Sequence, residues 1–236
     1  MTAHIGIIGC SAAGAALCYR TICEEAAPLL GPHAHPEVSM HTPSLALYVD
    51  RLEQGDMQGV ADLMLASAHK LAAAGADFLI CPDNTIHQAF GLVRPHSPLP
   101  WLHIAEEVAS VAAGRGYRRV GITGTAWLMN SAVYPSVLQE RRIDYLLPSG
   151  DDQANLNRII MNELVCGIIR PESVHQFLHI INSLKAGGCD AVILGCTELP
   201  LIATDENVSL PTLDSTRLLA RAALRKATGT EYAELL

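Results

Sequence analysis

Short apolar runs recur along this chain, separated by longer stretches whose apolar residues return at helical spacing. Runs at His4–Ile8, Glu37–His41, Phe78–Cys81, Arg119–Thr123, Asp144–Leu147 and Ala191–Leu194 have strand length and are bounded by polar or glycine positions. Between them, Met57 to Ala72 places Met57, Val60, Ala61, Met64, Leu65, Ala68, Leu71 and Ala72 on one helical face. The stretch after Asp214 reads the same way, with Asp214 or Ser215 as its N-cap. Strands alternating with helices predict βαβ units and parallel sheets, an α/β fold.

The pattern also repeats. HIGIIG (His4–Gly9) returns as RRVGITG (Arg118–Gly124), and GADFLICPDNT (Gly75–Thr85) returns as GCDAVILGCTE (Gly188–Glu198). When Gly75 is laid on Gly188, Asp77 meets Asp190 and Asp83 meets Cys196. Two segments matching in order and nearly in spacing predict two duplicated α/β lobes, 1–112 with 208–236 and 113–207. Ligands of open parallel sheets bind beyond the carboxyl ends of the strands, and each copy ends a strand in a small cluster of reactive side chains. If the lobes face each other by pseudo-twofold symmetry, Asp83 and Cys196 would lie on opposite sides of an interdomain cleft.

Composition narrows the function. Half of the 236 residues are apolar and 17% are charged, enough apolar material for large cores and too much for a disordered chain. The net charge of -8, with both signs interspersed, argues against a nucleic-acid partner, which needs a basic stripe. No run approaches the ~18 apolar residues of a membrane span, and the start MTAHIGIIGC enters a strand without a leader-like pattern, so a cytoplasmic location is expected. The seven cysteines are irregularly spaced and form no CxxC pair, so neither a zinc site nor a disulfide framework is expected. His33 and His35 stand in a Pro/Gly-rich loop rather than a metal site. GIIGCSAAG lacks the spacing of a dinucleotide fingerprint, so no metal or cofactor is expected.

Two acid/base groups on opposite faces of a carbon are what racemisation at Cα needs. A thiol suits the task because its pKa is tunable near working pH. Donors such as Asn84, Thr85, Thr125 and Thr197 could hold the substrate carboxylate while charge builds on it. Each candidate also has a plainer reading. Cys196 could be a buried thiol, Asp83 a helix N-cap, Cys81 core, His87 an orienter of its loop, and Glu198 a tuner of Cys196 or a cap. Cys18, Cys23, Cys166 and Cys189 read as structural.

At these residues the chain resembles a known family. DNTIH (Asp83–His87) resembles the CNTxH motif of the aspartate/glutamate racemases, and LGCTELPLI (Leu194–Ile202) is similar to that family's second catalytic motif. GITGTAWLMNSAVY (Gly121–Tyr134) and LDSTR (Leu213–Arg217) resemble two further segments. The resemblance implies two similar α/β domains, no cofactor, a homodimer, and a small-molecule substrate bearing a carboxylate. It makes Cys196 one acid/base and assigns carboxylate binding to Asn84, Thr85, Thr125 and Thr197, with Cys10 and Ser11 beside them and Glu198 near the thiol. This sequence has Asp83 where the family has its other cysteine, and no arginine soon after the second strand, where aspartate racemases hold the distal carboxylate. The resemblance therefore implies a racemase or epimerase using Asp83 and Cys196. A lyase, decarboxylase or cis-trans isomerase using Cys196 alone, and a non-catalytic binder, stand as alternatives.

Overall fold

The computed structural model describes residues 2–204 and 206–230. The chain forms two compact units. One runs to Glu107 and resumes at Thr216, and the other runs from Val108 to Ser215.

The first unit contains β1 (Ile5–Ile8), α1 (Ala12–Glu24), α2 (Ala27–Leu30), β2 (Val38–His41), α3 (Leu45–Glu53), α4 (Met57–Ala73) and β3 (Phe78–Ile80). A 3-10 turn at Thr85–Ala89 follows, then α5 (Phe90–Val93), β4 (Trp101–Leu102) and the start of α6 (Ile104–Gly114). The second contains β5 (Arg119–Thr123), α7 (Ala126–Met129), α8 (Val133–Glu140), β6 (Asp144–Leu146), α9 (Gly150–Asn162), α10 (Pro171–Ala186), β7 (Ala191–Leu194) and β8 (Thr212–Asp214), before α11 (Ser215–Thr228).

Each unit is built on a four-stranded parallel sheet, ordered β2-β1-β3-β4 in the first and β6-β5-β7-β8 in the second. The expected α/β class with two duplicated parallel sheets is what the chain adopts. All six strands read from the pattern are present, trimmed by a residue at some ends, and the helix expected at Met57–Ala72 runs to Ala73. The pattern missed β4 and β8, which are too short, at two and three residues, to show any alternation.

The repeat has a physical content. Gly75 and Gly188 both hold positive φ, +90° and +85°, where a helix turns back toward its strand. A side chain at either position would be strained by roughly 1–2 kcal/mol. Two residues on, Asp77 accepts the His4 N–H at 2.7 Å, and Asp190 accepts the N–H groups of Arg118 and Arg119 at 2.7 and 3.0 Å. Each aspartate thus stitches the third strand of its half to the foot of the first. Those backbone donors hold the Asp190 carboxyl below its ordinary range.

The first unit's core joins Ile5, Ile7, Phe78 and Ile80 to Cys18 and Ile22 of α1 and to Leu219, Ala220 and Ala223 of α11. Two further contacts bind α11 to this unit: Ala3 N–H donates to Ala227 C=O at 2.9 Å, and Arg221 grips Glu25 bidentately at 2.8 and 2.9 Å. In the second unit, Leu156, Ile159 and Ile160 of α9 pack with Phe177, Ile180, Ile181 and Leu184 of α10 against Val192 and Leu194. Among the described residues no helix is long and apolar enough to cross a membrane.

Candidate active site

In a parallel sheet every strand ends on the same edge, so the loops leaving those ends gather there. In the first unit the β1 end carries Cys10 and Ser11. Ser11 caps α1, its Oγ accepting the Gly14 N–H at 3.1 Å. The β3 end carries Cys81, Pro82, Asp83, Asn84 and Thr85. Register pairs Ile7 with Ile80, so the two loops leave adjacent strands side by side.

Asp83 shapes its own turn. Its Oδ1 accepts the Ile86 N–H at 3.2 Å, and its main-chain carbonyl accepts from His87 Nδ1 at 2.6 Å. That second bond fixes the proton on Nδ1 and leaves Nε2 as a lone pair, buried and without a partner among the described residues. Burial, with His103 nearby, holds the His87 pKa well below the usual histidine range, so the ring is neutral. The ring stacks on Phe90 at 5.7 Å and meets His103 edge-on at 4.6 Å. His87 orients the loop, and Asp83 does cap it; a carboxylate has a second oxygen, so capping and proton exchange are chemically compatible.

The structure adds a residue that no sequence signal pointed to. Tyr48, on α3, is fully buried, and among the described residues its hydroxyl has no hydrogen-bond partner. Its pKa is raised by burial first and then by Cys81, Cys10 and Asp83, so these side chains share one neighbourhood. The Ser67 hydroxyl lies beside the phenol without closing a hydrogen bond on it. Ser67 is instead bonded to His41 Nδ1 at 3.0 Å, and His41 Nε2 meets Lys70 Nζ at 3.0 Å. Burial and the charge of Asp83 push the Cys81 thiol well above its ordinary pKa, which suits a core thiol. Asn84 and Thr85 are buried at the same turn.

In the second unit the β5 and β7 ends approach closely. Gly195 N–H donates to Thr123 C=O at 2.8 Å, and a Cβ at Gly195 would stand 2.6 Å from that oxygen, so only glycine fits. Thr125 caps α7, its Oγ1 accepting the Leu128 N–H at 3.2 Å. Beyond Gly195 the chain presents Cys196, Thr197 and Glu198, all buried. The Cys196 thiol donates to Glu198 Oε2 at 3.0 Å, and the Thr197 hydroxyl donates to the same oxygen at 2.7 Å. A carboxylate that accepts a hydrogen bond from a buried thiol offers that proton somewhere to go, the first requirement of a thiol acid/base. At the β8 end, Ser215 Oγ donates to Leu194 C=O at 2.8 Å and ties this strand to the root of the Cys196 loop.

Each unit thus brings its expected residues together: Cys10, Ser11, Asp83, Asn84 and Thr85 at one strand edge, and Thr125, Cys196, Thr197 and Glu198 at the other. Cys18 and Cys189 are buried, Cys23 is half-buried, and Cys166 is exposed rather than built into a core. His33 and His35 lie in the loop before β2, where His35 Nδ1 meets the Pro36 carbonyl at 2.8 Å.

Comparison with known proteins places the fold and the family. A profile of the Asp/Glu/hydantoin racemase family matches residues 5–223. A broad specificity amino-acid racemase of Bacillus subtilis is 24% identical over 193 residues, covering 80% of this chain and 81% of that protein. A crystal structure from Yersinia pestis, described as an Asp/Glu racemase candidate, superposes with a TM-score of 0.87 at 30% identity, covering 95% of this chain and 99% of its own. An aspartate racemase homologue from Pyrococcus horikoshii gives a TM-score of 0.83 at 27% identity over 97% of this chain and 100% of its own. With two parallel sheets of equal strand order and a profile match along nearly its whole length, the chain belongs to the Asp/Glu/hydantoin racemase family.

Proposed function

We propose that this chain is an amino-acid racemase or epimerase that works without a bound cofactor, exchanging the Cα proton between Asp83 and Cys196. In one direction the Cys196 thiolate takes the proton from one face of Cα, and protonated Asp83 returns one to the other. In the reverse direction the Asp83 carboxylate abstracts and the Cys196 thiol donates. Glu198 receives the thiol proton when Cys196 must begin as thiolate. Asn84, Thr85, Thr125 and Thr197, with the Cys10–Ser11 loop, hold the substrate carboxylate as charge develops on it. The observation that carries this reading is the buried Cys196–Glu198 bond at 3.0 Å. That the Bacillus subtilis relative is a broad specificity amino-acid racemase supports amino acids as the substrate class.

A second reading, a lyase, decarboxylase or double-bond isomerase with Cys196 as the sole acid/base or nucleophile, is favoured by one observation. Asp83 Oδ1 is already engaged with the Ile86 N–H, which suits an orienter. Proton NMR in D₂O with pools of L- and D-amino acids separates the two. Exchange at Cα with inversion supports the racemase. Exchange from one enantiomer without inversion, or a product of changed mass, supports one-base chemistry. Ligand-dependent stabilisation without any chemistry would leave a binder. The same reading includes a cytoplasmic homodimer, and light scattering of the purified protein would show the dimer by mass.

A further inference from the structure

A cavity of ≈ 420 Å³ opens in the first unit beside the stretch from α5 to the start of α6. That size is in the range of small-molecule sites, ~300–1,000 Å³. Phe90 and Trp101 wall it with rings 5.6 Å apart and nearly perpendicular. Trp101 is held in place by its indole N–H, which donates to Ser97 Oγ at 2.6 Å, and Ser97 Oγ in turn donates to Leu99 C=O at 2.8 Å. Arg94 and Glu106 stand at the rim with opposite charges. Among the described residues neither side chain forms an ion pair or hydrogen bond, so both charges face the same opening unmatched.

The cavity is also linked to the Asp83 turn through two of its lining residues. Phe90 and His103 line it, their rings 4.7 Å apart, and both touch the His87 ring that holds the Asp83 carbonyl. We infer that this cavity is a second small-molecule site for an aromatic α-amino acid in its zwitterionic form, and that its occupancy is passed to Asp83 through His87. The carboxylate pairs with Arg94, the ammonium with Glu106, and the ring lies against Trp101 and Phe90. The binding stands apart from the racemase reading; only its consequence at Asp83 rests on that reading.

The test uses the full chain carrying Trp127→Phe, which leaves Trp101 as the sole tryptophan. Phenylalanine is titrated while Trp101 emission is followed, beside 3-phenylpropionate, which lacks the ammonium, and phenethylamine, which lacks the carboxylate. Saturable quenching by phenylalanine is expected, at least tenfold weaker for either analogue and at least tenfold weaker in Arg94→Ala and in Glu106→Gln. The His87 ring signals in NMR should shift with the same saturation curve. No saturable response to phenylalanine, or a response untouched by both rim variants, overturns the site. Binding without movement of the His87 signals overturns the link to Asp83. None of these readouts requires turnover, so a failed racemase reading would be seen separately, as absent exchange at Cα.

Discussion

The Cys196 thiol donates a hydrogen bond to the Glu198 carboxylate across 3.0 Å inside a buried loop, with the Thr197 hydroxyl on the same oxygen. Glu198→Gln keeps the shape and the Thr197 bond but cannot take the thiol proton. Under the racemase reading kcat falls by about 10²-fold or more while KM stays within a few-fold, since general-base assistance contributes ~10²–10⁴. Steady-state kinetics decides this. If kcat stayed at the wild-type value, Glu198 would be a structural cap only.

The two acid/base groups separate by substitution. Asn caps a turn as well as Asp, so Asp83→Asn is expected to retain the fold and the Ile86 N–H bond. It should abolish inversion while leaving deuterium exchange from one enantiomer, the one presented to Cys196. Cys196→Ala is expected to abolish exchange from that same enantiomer. Undiminished inversion in Asp83→Asn would remove Asp83 from the chemistry.

Acid should weaken the first unit through its buried imidazoles. Burial, and then the Arg94 charge, bring His103 down to about 4 from an ordinary 6.5. Between those values the unfolded chain binds more protons than the folded one, so stability falls as pH drops through the window and is fully present above ~6.5. His87 acts with the same sign. The His103 share is roughly 2–3 kcal/mol, and His103→Phe should flatten the profile by about that much. Urea unfolding at pH 7.5 and pH 5 measures it; equal slopes in variant and wild type would contradict the prediction.

Tyr48→Phe deletes a hydroxyl that has no partner among the described residues and keeps the ring that fills the core. An unsatisfied buried hydroxyl costs ~1–3 kcal/mol, so this variant is expected to match or exceed the wild type in thermal stability. A loss above about 1 kcal/mol would show that the phenol is bonded in solution, with Ser67 the nearby candidate.

Much of the candidate site was legible because its residues lie in loops that directly follow strongly patterned strands. Asp83 follows Phe78–Ile80 and Cys196 follows Ala191–Leu194, so finding the strands found the residues. The duplication was visible because it is enforced by backbone geometry. Gly75 and Gly188 must take positive φ, and Asp77 and Asp190 must reach the foot of the neighbouring strand, so residue type is constrained at matching offsets. Tyr48 and the Ser67–His41–Lys70 chain were not legible. They come from α3, α4 and β2, and nothing in local spacing announces that three elements converge behind one strand end.

By itself, then, the sequence determined six of the eight strands, the doubled α/β plan and the residues at those strand ends, because hydrophobic period, glycine conformation and capping chemistry are local. The tertiary structure alone decided that Glu198 turns back onto the Cys196 thiol, that His87 holds Asp83 by its carbonyl, and that Arg94 and Glu106 flank one cavity. Those are relations between side chains, set by which rotamers and loops survive close packing, and no one-dimensional pattern carries them.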